Sequence, residues 1–141
     1  MNLQGLISKI ILEDSHIHDL TQHAKTTWPH EACAILIGTL KDGTALVDYV
    51  VLTENDDKSF TSFTVNIDKL LEIYEQVDYE CKEIVGIFHS HPAPPEPSEV
   101  DIKFMRLNPV VWFIMSMPRT EYVAYQWRDG GIATIKIENQ L

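Results

Sequence analysis

Several things are scarce in this 141-residue sequence, and each scarcity removes a class of protein. Only two cysteines occur, Cys33 and Cys81, too few for a disulfide scaffold, and a chain of this size does not need one. Basic residues are outnumbered, 11 Lys plus Arg against 21 Asp plus Glu, for a formal net charge of −10. Polyanion binding by phosphate neutralisation is thereby disfavoured, as is docking on an anionic membrane, so neither a nucleic-acid nor a membrane partner is expected. No apolar run approaches membrane-spanning length. The N-terminal stretch has no basic segment before its apolar residues and no small-residue cleavage site after them, so a cytoplasmic location is expected. Internal repeats, low-complexity tracts and interdomain linkers are also missing, which predicts one domain over residues 1–141. What remains is an ordinary globular composition, 45% hydrophobic and 23% charged, with enough chain to bury roughly two-thirds of its unfolded surface.

The order of elements follows from periodicity. Leu6 to Leu12 is short and rich in Ile and Leu, which predicts a strand. Ser15 offers an N-cap for a helix carrying Ile17, Leu20 and Ala24, stopped by Pro29 after Trp28. Ala32 to Leu40 and Ala45 to Thr53 read as a hairpin across Lys41-Asp42-Gly43. A short strand is expected at Thr61 to Val65, then a helix along Ile67, Leu70, Leu71, Tyr74 and Val77. Glu83 to His91 has apolar residues at both alternating positions, which predicts a strand covered on both faces in the sheet interior. The proline-rich Ala93 to Pro97 is a stiff loop, and Ser98 opens a helix ended by Asn108-Pro109. Val110 to Met115, Tyr122 to Trp127 and Ile132 to Ile137 complete the strands, with Asp129-Gly130-Gly131 turning between the last two. Six to seven strands with three helices make an α/β or α+β unit of two or three layers.

Chemistry concentrates in HSHPAPPEPSEVD, residues 89–101. On a strand, alternate side chains share a face, so His89 and His91 point the same way and Ser90 the other. Two imidazoles can then converge on one ion, with Asp101 supplying a carboxylate from the first turn of the next helix. Two histidines and one carboxylate leave a fourth tetrahedral position for water, the pattern of a catalytic zinc site. His16-Ile17-His18 has the same spacing but lies on a predicted helix, where i and i+2 stand about 200° apart and cannot share an ion. Ser98-Glu99-Val100-Asp101 read alone is a helix cap. It is the joint occurrence within 13 residues that favours a metal site. Such a hydrolase also needs a base, and Glu31, directly before an apolar strand, is the candidate. Other motifs are absent. Position 34 is Ala, so there is no HExxH. Cys33 and Cys81 form no CxxC pair, and Cys33 lies in an apolar run where a buried thiol is the common outcome. Trp112, Phe113 and Trp127 read as core or hairpin packing.

WPHEACAILIG together with HSHPAPPEPSEVD resembles the JAMM (MPN-plus) family of zinc metalloproteases, which remove ubiquitin or ubiquitin-like proteins. The family pattern of glutamate, His-x-His-Pro and Ser-x-x-Asp is present in order. The resemblance implies an α-β-α sandwich around a mixed sheet, related in architecture to cytidine deaminases. It implies His89, His91 and Asp101 as ligands of one Zn2+ with a catalytic water, Glu31 as general acid/base, and Ser98 as an oxyanion donor. The loop from His91 to Asp101 is one residue shorter than the family's usual spacing, with Glu96 and Glu99 as substitute ligands, and Ala34 stands where many relatives have glycine. The short chain is similar to the compact prokaryotic members, archaeal-type isopeptidases resembling deubiquitinases. The implied substrate is a ubiquitin-like protein or its conjugates. Alternatives are a sulfur-carrier protein adduct, a small peptide, or a metal-free scaffold module of the same fold.

Overall fold

The computed structural model describes residues 5–54, 67–92 and 94–140. In chain order the elements are β1 (Lys9–Glu13), α1 (Asp14–Thr27), β2 (Cys33–Lys41), β3 (Thr44–Thr53), α2 (Ile67–Tyr79), β4 (Glu83–His91), α3 (Glu99–Leu107), β5 (Val111–Ser116), β6 (Tyr122–Arg128) and β7 (Gly131–Gln140). The strand expected at Thr61 to Val65 lies outside the described residues.

Among the described residues, seven strands run in the order β1-β3-β2-β4-β5-β6-β7, and β1 pairs in parallel with both β3 and β7, so the mixed sheet closes on itself. Two hairpins turn through Asp42-Gly43 and Asp129-Gly130, all four residues at positive φ, the mirror-image turn that matches strand twist. At Gly38 the β2–β3 register shifts, and a Cβ there would lie 1.8 Å from the carbonyl oxygen of Leu46, so only glycine fits the close approach.

Alternation along the strands divides the core, and an irregularity in the β2–β4 ladder between Leu36 and Ile37 resets it so that Val85 shares a face with Phe88. Ala34 and Leu36 of β2, Val85 and Phe88 of β4 and Phe113 of β5 turn inward, where they bury Leu20 and Ala24 of α1. Ile35 and Ile37 turn outward beneath Ile73 and Val77 of α2, with Ile84 and Ile87 of β4 beside them. Trp112 and Ile114 of β5 meet Met105 of α3 on that outer face. Helices therefore cover both faces, as the α-β-α expectation has it, and β4 lies between β2 and β5, the interior place its sequence predicts.

Some boundaries differ from the sequence reading: the last strand runs on to Gln140 instead of stopping at Ile137, and two more differ at the start of the chain. The first strand begins at Lys9 rather than Leu6, because residues before it are drawn elsewhere: Ile7 N–H donates to Gln126 Oε1 (2.9 Å) and Ser8 N–H to the Gly43 carbonyl (2.7 Å). The N-cap of α1 is Glu13, not Ser15. His16 Nδ1 accepts from Glu13 N–H at 3.1 Å, and Ser15, already in the first turn, donates its hydroxyl to Glu13.

Candidate metal centre

The outward alternation that carries Ile87 into the sheet–helix layer continues to His89 and His91. On β2 the same alternation runs back from Ile35 through Cys33 to Glu31. Because Cys33 stands opposite His89 in the antiparallel ladder, Glu31 arrives at the His pair from 58 residues away in sequence. Its Oε1 lies 3.1 Å from His89 Nδ1. From the other side, Asp101 Oδ1 lies 3.1 Å from His89 Nε2. The two imidazole rings stack at 5.3 Å between centroids, inclined by 23°. Glu31, His89, His91 and Asp101 are all buried.

Asp101 is aimed by the helix it starts. Ser98 caps α3 by accepting from Asp101 N–H at 3.1 Å, while Asp101 Oδ2 accepts from Ser98 N–H at 2.8 Å, a reciprocal capping box. That arrangement occupies one carboxylate oxygen and turns the other toward His89. Cap and site are thus one device, so the two readings of Ser-x-x-Asp do not compete. Ser98 itself is exposed. The shorter loop still delivers Asp101, and neither Glu96 nor Glu99 joins the cluster.

Electrostatics show what the site demands. Burial alone would lower the pKa of His89, but hydrogen bonds to Asp101 and Glu31 outweigh it, and the ring is pushed up to about 9. Burial would raise Asp101, yet His89 and the Ser98 hydrogen bonds hold it below the usual carboxylate range. His91 is lowered by burial and by the charge of His89, so its imidazole stays neutral and able to donate a lone pair. Two buried carboxylates facing two imidazoles call for positive charge between them.

A cation meets that demand. Donor atoms of His89, His91 and Asp101 lie within 4.8 Å of one another. His91 Nε2 is buried and makes no hydrogen bond among the described residues. Nitrogen, nitrogen and carboxylate oxygen are zinc's ordinary donors, and tetrahedral bonds of about 2.0–2.1 Å space neighbouring ligand atoms by about 3.4 Å. The residues present therefore fit such an ion. Glu31 on the far nitrogen of His89 makes the carboxylate–histidine contact that orients a ligating ring.

The other sequence candidates fall elsewhere. Cys33 is buried, with its sulfur 3.0 Å from Thr53 Oγ1. His16 caps α1 and His18 is exposed on it, so that pair does not converge. Trp112 and Phe113 are core residues, but sequence reasoning missed that the Trp112 ring stands edge-on to His89, 6.2 Å between centroids. Its indole N–H donates to the Asn108 carbonyl, fixing the ring as a wall of the site. Nothing in an apolar VWFIM strand distinguishes such a wall from core.

Among the described residues, no helix is long and apolar enough to cross a membrane. In comparison with known proteins, the chain is 36% identical over 96 residues to a desampylase of Pyrococcus furiosus, a match covering 67% of this chain and 65% of that protein. Its fold is similar to the solution structure of protein DSY2949 from Desulfitobacterium hafniense, with a TM-score of 0.80, 26% identity, and coverage of 93% and 92% of the two chains. The model of the prokaryotic homologs of the JAB domain matches residues 13–128, a span that holds β2, β4, α3 and every residue of the cluster, and the chain belongs to that family.

Proposed function

We propose that this protein is a zinc-dependent isopeptidase that hydrolyses the bond joining the C-terminal carboxyl of a ubiquitin-like protein to an amine. The observation that carries this reading is the convergence of His89, His91 and Asp101 on one point with Glu31 against the same histidine. The relative named desampylase supports a ubiquitin-like modifier as the group removed.

His89, His91 and Asp101 would hold the ion. The chemistry a bound zinc supplies is Lewis acidity, which polarises a carbonyl and brings the pKa of water near neutrality. Glu31 takes a proton from the attacking water and returns it to the departing amine, so that lysine leaves as a neutral group. The Ser98 hydroxyl accepts from the helix but still carries its own hydrogen, which it can donate to the oxygen that becomes negative as the carbonyl turns tetrahedral. Burial of Glu31 and of the three ligands beside the Trp112 wall keeps bulk water from competing at the carboxylate, while Ser98 stands at the exposed side of the site.

Glu31→Gln is the test. It keeps the size of the side chain and an oxygen facing His89 but cannot carry the proton. Zinc content by elemental analysis is expected to remain at one per chain, while cleavage of an isopeptide-linked ubiquitin-like conjugate drops by a factor of at least about 100. Full activity in that variant removes Glu31 from the reaction.

A further inference from the structure

The ligands and the base are anchored by different parts of the sheet. His89 and His91 lie on the last stretch of β4, which pairs in parallel with β5 as far as His91↔Ser116. Glu31 lies outside any strand, since β2 begins only at Cys33. Between α1 and β2, His30 N–H donates to the Thr27 carbonyl and is tied to the helix end. The next tie belongs to Ser90, the residue between the two histidines. Ser90 N–H donates to the Ala32 carbonyl (3.0 Å), and Ala32 N–H donates to Ser90 Oγ (3.1 Å). A side-chain oxygen here accepts the bond that extends the ladder one residue past the end of β2.

The amide so held is the peptide immediately following the Cα of Glu31. Peptide units are planar, so fixing the Ala32 N–H fixes the rotation at Glu31 ψ and the direction in which its side chain leaves the backbone. Ser90 and Ala32 are each 1% exposed, so no water replaces a lost acceptor. From this we infer that Ser90 is a positioning residue: its hydroxyl clamps the Glu31–Ala32 peptide and thereby holds the Glu31 carboxylate at the metal centre. The inference rests on the reading of Glu31 as the base. The hydroxyl is not among the donor atoms of the cluster, and the pairing of β4 with β5 runs through backbone groups rather than through it.

The experiment compares wild type with Ser90→Ala, Ser90→Thr and Glu31→Gln. Three quantities are read: zinc affinity by chelator competition, kcat and KM on a ubiquitin-like protein joined through its C-terminal carboxyl to a lysine ε-amine, and hydrogen exchange of the Ala32 amide. Ser90→Ala is expected to bind zinc within about twofold of wild type and keep its KM while kcat falls roughly 10–100-fold, with Ala32 exchanging at least about tenfold faster. Ser90→Thr, which retains the hydroxyl, is expected to recover both. If Ser90→Ala does not fold, Ser90→Cys, which keeps the volume but offers a weak acceptor, is expected to show the same kcat loss. Wild-type kcat with fast Ala32 exchange overturns the clamp, as does a kcat loss explained by lost zinc. If Glu31→Gln is inactive and Ser90→Ala is not, only the positioning role fails. If Glu31→Gln turns over at the wild-type rate, the assignment of the base fails and the inference goes with it.

Discussion

The protein contains the same three-residue spacing twice, His16-Ile17-His18 and His89-Ser90-His91, with opposite outcomes. On α1 the two rings diverge around the helix, and His16 spends its Nδ1 on the backbone N–H of Glu13 while His18 faces solvent. On β4 they stack at 5.3 Å and meet two carboxylates brought by other elements. Ligand types and spacing are therefore not a site by themselves. The backbone period decides whether two donors converge, and the long-range register decides what they converge with. At the second pair, hydrogen bonds to Asp101 and Glu31 outweigh burial and push the pKa of His89 up to about 9.

The hardest break of this contrast is His89→Ala. It removes a zinc donor and leaves Glu31 and Asp101 as buried carboxylates without the ring between them. Zinc is expected to fall from one per chain to near none, and cleavage to background. Stability is expected to drop by roughly 3 kcal/mol, the scale for removing one partner of a buried charged cluster, read by urea denaturation. Retention of stoichiometric zinc would refute the ligand assignment. His91→Ala tests the same point with less strain, because that ring is not held between the two carboxylates. Chelation of the wild type should reproduce the loss of cleavage, with recovery on adding zinc.

A finer cut separates the two jobs of Ser98. Glycine is nearly as good an N-cap as serine, costing only a few tenths of a kcal/mol, but it has no hydroxyl. Ser98→Gly is thus expected to leave the melting temperature almost unchanged while kcat falls about 100-fold, the scale for one oxyanion donor. A kcat near wild type would mean that Ser98 serves only the capping box that aims Asp101.

How far the sequence announces all this differs by residue. β4 is legible to its exact ends, because an apolar run without alternation has few other places to go, and His89, His91 and Asp101 stand close enough in sequence to imply one another. Glu31 is legible only as a candidate: its contact with His89 depends on the pairing of Cys33 with His89, and no local pattern encodes that register. The closure of the sheet by β1 on β7 is invisible for the same reason, since parallel pairing between distant segments leaves no turn to recognise. Ser15 looks like the better cap than Glu13 by residue type. Cap identity is set by where the strand ends, and β1 ends at Glu13.

The mildest test asks whether the helical pair is as idle as its geometry says. In a His16→Ala/His18→Ala double variant, the Glu13 N–H loses its side-chain acceptor at the start of α1, which is worth about 0.5–1 kcal/mol on the scale of N-terminal caps. His18 is exposed and adds no more than about 0.5 kcal/mol in either direction. Unfolding midpoints should register that small loss, and the His18→Ala single variant should show almost none of it. Zinc stoichiometry and kcat/KM should both stay at wild-type values, because neither ring belongs to the donor cluster. A drop in bound zinc would place an ion on α1, where the angular separation of the two side chains forbids a shared one. Backbone period would then decide convergence for neither pair, His89 and His91 included.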